Sequence, residues 1–206
     1  MTPTRLQTSL ILLPILLSWF HPVYGQETEE RSRNKIEARS PDGKFAFRYT
    51  GQSQEEKQTY DLIDTRSDKV LMSVAESDPE LGASARFIMK VLWRSDSKAF
   101  ALTALLQKRG SELSVYLREG PAFRPIELPE LTADIPEKLE QGKTTNLDSQ
   151  RANRWQKDGS LVAQVETVSA GNNGTVTATR TVVLGFDQTN KAKIRKSTIE
   201  FAVEKQ

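Results

Sequence analysis

The sequence SPDGKFAFRYT, residues 40–50, decides the fold expected for this chain. It contains an Asp-Gly pair at residues 42–43 and then alternating large apolar residues, Phe45, Phe47 and Tyr49. An Asp-Gly pair favours a tight turn, and an apolar period of two is typical of a strand with one buried face. The stretch therefore predicts a turn that leads directly into a β-strand.

The same pattern of turn and strand occurs twice more along the chain. WRSDSK at residues 93–98 and WQKDGS at residues 155–160 each place an aspartate in a tight turn, three residues after a tryptophan. In the first copy Arg39 stands at the tryptophan position. A further strand pattern follows each copy. The sequence therefore predicts an all-β fold of about three antiparallel β-meander units in an open curved or sandwich arrangement.

Other segments refine this prediction. Residues 99–106 are apolar on both faces and suit a central strand, although by residue type they also suit a short helix. GNNG at residues 171–174 predicts a hairpin turn. Residues 136–141 begin with proline and precede a glycine, which predicts one short helix. We expect the charged strand at residues 199–205 to help cover exposed strand edges.

Some of these residues carry a family resemblance. At residues 40–44 and 60–69, where YDLID leads into a polar turn, the chain resembles the periplasmic Tol-translocation type of β-propeller repeat, a relative of the WD repeat. A blade of that family carries W-S-P-D-G-K before its first apolar strand, and the two tryptophan-bearing copies here match it in part. The resemblance implies propeller-blade-like units. Propellers close with about four to eight blades, so three units imply an open array, a sandwich, or a ring completed by two chains.

The first 25 residues predict a cleaved signal peptide. Arg5 supplies positive charge, residues 10–20 form the apolar run LILLPILLSWF, and Gly25 suits the position before a cleavage site. The run is interrupted by Pro14 and is too short to cross a bilayer, which needs about 20 apolar residues. We therefore expect a secreted or periplasmic protein that is not inserted in the membrane after cleavage.

The remaining chain divides into two parts by composition. Residues 26–38 are charged and have no apolar period, which predicts a disordered N-terminal segment. Residues 39–206 are expected to form a single β-rich repeat domain, long enough to bury a core.

Composition excludes several chemistries. The chain has no cysteine, and its one histidine, His21, lies in the predicted signal peptide. Ser-His-Asp and Cys-His catalysis and ordinary zinc sites are therefore excluded from the mature chain, and no nucleotide-binding glycine motif is present. The 29 basic and 27 acidic side chains are interleaved without a basic stripe, so no nucleic-acid partner is expected. The sequence assigns no catalytic residue, metal or cofactor.

Most conspicuous residues have a structural interpretation that we prefer. Trp93 and Trp155 are expected to pack between strands rather than line a sugar-binding face. The aspartates of the three turns are expected to form those turns rather than an acidic site. The proline-rich stretch at residues 123–129 is expected to be a connector laid on the core rather than a docking strip. The glycosylation sequon at residues 173–175 lies in the predicted hairpin and needs no function.

The leading functional hypothesis is a noncatalytic binding or interaction module for an envelope protein or a glycan, with unidentified binding residues. One alternative is a carboxylate-based polysaccharide hydrolase or lyase, which requires two convergent acids with one pKa raised by burial. Another is a structural subunit that self-associates, so a homo-oligomer is a further expectation. The sequence does not identify the partner.

Overall fold

The computed structural model describes residues 35–50, 58–76, 88–105, 110–187 and 191–204, with no statement on the side chain of Asn146. The predicted signal peptide and its cleavage site lie outside these residues. Within them the chain forms twelve strands and one short helix. None of the described helical residues belongs to a segment long and apolar enough to span a membrane.

The strands form three four-stranded antiparallel meanders, which we call units 1, 2 and 3. Unit 1 contains β1 (Ile36–Glu37), β2 (Phe45–Thr50), β3 (Thr59–Asp64) and β4 (Val70–Glu76). Unit 2 contains β5 (Ile88–Trp93), β6 (Ala99–Leu105), β7 (Gly110–Glu119) and β8 (Ala122–Pro125). Unit 3 contains β9 (Lys143–Trp155), β10 (Leu161–Gly171), β11 (Gly174–Phe186) and β12 (Ala192–Glu204). The helix α1 (Glu137–Glu140) lies between units 2 and 3. The predicted all-β fold class is confirmed.

Units 2 and 3 share one sheet through a short parallel contact between β7 and β9. The strand β8 covers only the end of the β7 edge, so the start of β7 is free to pair Gly110 with Asp148 and Ser111 with Ser149. A side chain at position 110 would place its Cβ 1.7 Å from the carbonyl oxygen of Asp148. The residue also has a φ of +106°. Both facts require glycine where the two units meet.

Units 1 and 2 pack face to face through an aromatic core. Phe47 of β2 lies 5.1 Å from Phe100 of β6, measured between ring centroids, and the two rings meet edge to face. Phe100 also stacks on Tyr116 of the neighbouring strand at 4.7 Å. Aromatic pairs in these geometries stabilise the core beyond the effect of burying their area. The other buried members of this core are Phe45, Tyr60, Leu62, Leu102 and Phe123.

Units 2 and 3 pack through an aliphatic core. Ala101 and Val115 of unit 2 belong to the same buried cluster as Leu161 and Val176 of unit 3. The connector between the units adds Ile126, Leu131, Ala133 and Ile135 to that cluster. In β6, Phe100 therefore faces unit 1, whereas Ala101 packs in the core between units 2 and 3. Burial on both faces explains why residues 99–105 lack polar alternation, and these residues form a strand and not a helix. Residue 106 lies outside the described residues.

Local turn chemistry is as predicted in two further places. The helix α1 begins after Pro136, within the predicted residues 136–141. The hairpin of β10 and β11 pairs Gly171 with Gly174 across a two-residue loop. Proline and glycine determine the conformation of both segments, because their backbone preferences do not depend on contacts with the rest of the fold.

The strand pairing bears on two further expectations. The predicted disorder over residues 26–38 does not extend to its end, because β1 pairs with Phe47 and Arg48 of β2. Its charged sequence is compatible with an edge strand, which needs only one neighbour. The C-terminal strand covers the outer edge of β11. It is itself the edge strand of unit 3, with β11 as its neighbour.

Candidate functional site

The three aspartate turns have one shared geometry. The Oδ1 atoms of Asp42, Asp96 and Asp158 each accept a hydrogen bond from the backbone amide two residues later, at 3.1, 2.9 and 3.0 Å. The residue after each aspartate has a positive φ: +70° at Gly43, +58° at Ser97 and +81° at Gly159. Short carboxylates stabilise such turns by bonding their own backbone. The structure therefore places these aspartates as turn formers.

Side chains link the three turns to one another. Ser97 is almost fully buried, and its hydroxyl accepts a hydrogen bond of 3.0 Å from the backbone amide of Asp42 in unit 1. On the other side, the guanidinium of Arg94 lies 5.7 Å from the centroid of the Trp155 ring in unit 3. The same guanidinium forms an ion pair with Asp96 at 2.8 Å. Side-chain contacts therefore connect the turn of each unit to the neighbouring unit.

The two repeated tryptophans join neighbouring units. The indole nitrogen of Trp93 donates a 2.7 Å hydrogen bond to the carbonyl oxygen of Ala38, and that of Trp155 donates one of 2.9 Å to Leu92. The ring of Trp93 packs among Phe45, Phe47, Phe100 and Phe123, and that of Trp155 lies 5.6 Å from Phe186. Both indoles are used in holding the units together, as expected, and they do not form an exposed sugar platform.

The carboxyl groups of the described residues do not show the pattern that a glycoside hydrolase needs. The carboxyl pKa values shifted among the described residues, those of Asp42, Asp64, Asp96 and Asp158, are all lowered. At Asp158 the main cause is a hydrogen bond from the Ser160 hydroxyl. At Asp42 and Asp96 burial opposes ionisation, but hydrogen bonds from Ser40 and Arg94, together with backbone amides, outweigh it. These groups are stabilised as carboxylates, whereas a general acid needs a raised pKa.

Metal binding has no support in the described part of the chain. There, no cluster of three or more His, Cys, Asp or Glu side chains is arranged to hold an ion. Buried Asp61 accepts hydrogen bonds from the hydroxyls of Thr59 and Ser73, which occupy both of its oxygens. This carboxylate therefore has a structural use within unit 1.

The two remaining segments noted in the sequence are also accounted for. In residues 123–129, the first three residues belong to strand β8, and the connector begins at Ile126. The side chains of Phe123 and Ile126 are buried in the two cores, so the stretch lies on the core. Asn173 of the sequon is exposed at the tip of the hairpin between β10 and β11.

The outer edge of β12, which we call the β12 edge, carries more exposed large apolar side chains than any other edge strand among the described residues. Large apolar side chains that are exposed among the described residues lie on the edge strands β1, β4, β5 and β12. Three of these six lie on β12: Ile199 and Phe201 are each 42% exposed and Val203 is 50% exposed. Their spacing of two residues places them on one face of the strand.

Pairing with β11 shows which face this is. Phe201 lies opposite Ala178, and Val203 lies opposite Val176. Both of these β11 residues are fully buried in the core between units 2 and 3. The apolar stripe of β12 therefore lies on the same face of the sheet as the buried residues of β11. The layer that covers β11 does not extend over β12. Arg180 marks this boundary, since it donates hydrogen bonds both to the connector at Thr132 and to Ser197 of β12.

Charges on β12 are ordered along the strand. Its first half carries Lys193, Arg195 and Lys196, and its second half carries Glu200 and Glu204. Lys193 and Arg195 form ion pairs of 3.2 Å within the molecule, with Asp187 and Asp158. The remaining three charges form no ion pair with any described residue. The β12 edge thus offers main-chain groups, apolar surface and uncommitted charge of both signs.

The opposite face of unit 3 is polar over part of its surface and provides a contrast. Thr177, Thr179 and Thr181 follow one another along that face of β11, beside Gln164 and Glu166 of β10. Among the described residues, the exposed large apolar side chains of unit 3 lie on β12 and not on this face. The candidate site therefore lies on the edge of unit 3 and not on its outer face.

Sequence reasoning identified the β12 alternation but not its use. It named Ile199, Phe201 and Val203 as a strand pattern and expected the strand to serve as cover. An alternating pattern does not reveal whether another layer lies across the apolar face. The signal present in the sequence was the alternation itself, at residues 199, 201 and 203.

Comparisons with known proteins add little to this description. No protein-family model matches the chain, and no curated protein matches it. The crystal structure of an uncharacterized protein from Listeria monocytogenes EGD-e is similar at a TM-score of 0.34 with 11% sequence identity. The match covers 78% of this chain and 56% of that protein, so the chain spans little more than half the length of its structural neighbour.

Proposed function

We propose that this chain is an exported, noncatalytic interaction module that binds a protein chain by strand addition along the β12 edge. The observation that carries the proposal is the apolar stripe of Ile199, Phe201 and Val203 on a long strand that, among the described strands, has only β11 as a neighbour. In strand addition, main-chain hydrogen bonds supply affinity and alternate side chains supply specificity. The β12 edge offers both over thirteen residues.

A protein partner fits this surface better than a glycan does. Sugar-binding faces commonly present aromatic rings flat to solvent, but Trp93 and Trp155 are engaged between the units. Phe201 is the exposed aromatic residue of β12, and it stands between two aliphatic residues in a stripe. An apolar stripe beside unpaired backbone groups is the arrangement that extended polypeptide recognises.

Export is the second part of the proposal. Its support is the predicted signal peptide, with positive charge at Arg5, the apolar run at residues 10–20 and a cleavage site after Gly25. Sequencing the amino terminus of the protein recovered from the periplasm or the medium tests it. We expect the recovered chain to begin at Gln26. A chain that keeps residues 1–25, or that stays in the cytoplasm, would overturn this part.

A photo-crosslinking residue placed at position 201 tests the site itself. In cells that export the protein, we expect ultraviolet light to join this position to another polypeptide. The matched control places the same residue at Thr179, which lies on the polar face of the neighbouring strand. Equal crosslinking from both positions, or none from position 201, would contradict binding at the β12 edge.

Substitution of Phe201 by serine provides the complementary test. Because the side chain is 42% exposed, F201S should leave the urea unfolding midpoint close to that of the parent chain while it removes the crosslinked or co-purified partner. Ile88→Ser is the matched control, since Ile88 is 55% exposed on the edge strand β5. Loss of the partner in both variants would point to general surface hydrophobicity instead of a site on β12.

A further inference from the structure

The order of charges on β12 identifies the kind of strand that fits beside it. Two identical strands that pair antiparallel place the first half of each against the second half of the other. On β12 this juxtaposes the basic half, which includes Lys196, with the acidic half, which includes Glu200. We propose that the partner bound at the β12 edge is a second copy of this chain, in antiparallel pairing of β12 with β12. This inference rests on the proposed function and names its partner.

Thr198 is the centre of the pairing. It is the midpoint of β12, so pairing about Thr198 brings the full lengths of the two strands together. Lys196 and Glu200 stand two residues to either side of it, and their partners on β11, Val183 and Thr179, lie on the same outer face of the sheet. A two-fold axis at Thr198 therefore sets each Lys196 directly opposite Glu200 of the other copy, twice in one dimer.

Neighbouring registers match these charges less well. Centring the axis on Glu200 sets Lys196 opposite Glu204 but also sets the Glu200 carboxylate opposite itself. Centring it on Lys196 sets two ammonium groups opposite each other. Like charges that are directly opposed destabilise a strand pair. Centring on Ser197 or Ile199 leaves both charges opposite neutral residues. Among registers that keep the two outer faces on one side, the register at Thr198 is the one that satisfies Lys196 and Glu200 together.

The lack of ion pairs at these charges among the described residues supports the assigned pairing of β12 with β12. Lys193 and Arg195 already hold acidic partners within the molecule, whereas Lys196 and Glu200 form no ion pair with any described residue. The pairing also uses the same patch on both copies, so it closes as a dimer and leaves no free β12 edge for a third chain. The register shift at Arg195, where β12 bulges, limits indefinite edge growth in the same way.

Charge exchange tests the pairing with the protein purified after export. Lys196→Glu and Glu200→Lys each turn both cross-strand pairs into repulsions, and each should weaken self-association in sedimentation equilibrium by at least about tenfold. A mixture of the two variants restores opposite charges at both pairs, so it should form a one-to-one heterodimer. The double exchange in one chain should restore the homodimer. Glu112→Lys, at an exposed position on β7, is the control and should leave association unchanged.

Engineered cysteines test the register, because the chain has no cysteine of its own. Thr198→Cys should give a disulfide-linked dimer under mild oxidation, since the two residues face each other across the axis. Thr181→Cys, at the position on β11 that pairs with Thr198, should remain monomeric under the same treatment. A disulfide formed by Glu200→Cys in place of Thr198→Cys would overturn the assigned register.

The outcomes also separate this inference from the proposed function. A parent chain that remains monomeric at high concentration, or a mixture of the two charge variants that stays unassociated, overturns the second copy as partner. If the crosslinking residue at position 201 then joins a different protein, the interaction module stands and the self-pairing fails. If position 201 joins nothing, both proposals fail.

Discussion

The indole nitrogen of Trp155 donates a 2.9 Å hydrogen bond to the carbonyl oxygen of Leu92, the residue directly before Trp93. Trp93 makes the equivalent bond to Ala38, the residue directly before Arg39. Each tryptophan thus binds the position one residue before the tryptophan site of the preceding unit. The sequence repeat is therefore also a repeat of the contact between units.

Trp155→Phe should destabilise the protein by about 1–3 kcal/mol. The substitution keeps a ring at the site but removes the N–H donor, which leaves the Leu92 carbonyl without this partner. Urea unfolding measures the effect. Phe186→Leu is a useful comparison, because it removes the ring contact to Trp155 at 5.6 Å and keeps the hydrogen bond. An unchanged midpoint in Trp155→Phe would show that the bond does not hold units 2 and 3 together.

Ser97 should respond differently to alanine and to glycine. Its φ of +58° is strained for any residue with a Cβ, but its hydroxyl accepts the amide hydrogen of Asp42 in unit 1. Ser97→Ala keeps the strain and loses the hydrogen bond, so it should cost about 1–3 kcal/mol. Ser97→Gly also loses the bond but relieves strain of about 1–2 kcal/mol, and should therefore be the milder change. A lower thermal unfolding midpoint for Ser97→Gly than for Ser97→Ala would contradict this prediction.

Local chemistry explains why much of the fold is predictable from sequence. Aspartate turns, the hairpin at residues 171–174 and the helix after Pro136 depend on residues close in the chain. The role of Gly110 is not predictable in this way, because the need for glycine there comes from the approach of Asp148 far along the chain. The candidate site is not predictable from sequence for a related reason. Alternation at Ile199 and Phe201 shows that the strand has an apolar and a polar face. Whether the apolar face is exposed depends on whether another layer of the fold packs against it.

Acid should weaken the three turns together. The folded-state pKa values of Asp42, Asp96 and Asp158 lie below the usual 3.8, so the unfolded chain takes up these protons at a higher pH than the folded chain. The stabilisation is complete above about pH 5 and is lost as the pH falls through the lowered folded-state values. Urea unfolding between about pH 6 and pH 2.5 should show stability that falls on the acid side.

Asp158→Asn provides the control for this pH dependence. The amide keeps an oxygen acceptor for the Ser160 amide but does not titrate, and it also loses the ion pair with Arg195. The variant should therefore lose less stability between about pH 5 and pH 2.5 than the parent chain does. An identical acid response in the two proteins would show that the Asp158 turn does not contribute to it.

Gly110→Ala should disrupt the contact between units 2 and 3. The added Cβ would lie 1.7 Å from the Asp148 carbonyl oxygen, which is backbone and has little freedom to move. Gly120→Ala is the matched control, because Gly120 also has a positive φ, of +60°, but has open space around its Cβ position. The control should cost about 1–2 kcal/mol from backbone strain alone. Gly110→Ala should cost about 1–3 kcal/mol more, from overpacking at the strand contact. Equal losses in urea unfolding would mean that the chain rearranges around the new methyl group, and that the parallel pairing of β7 with β9 contributes little to joining the units.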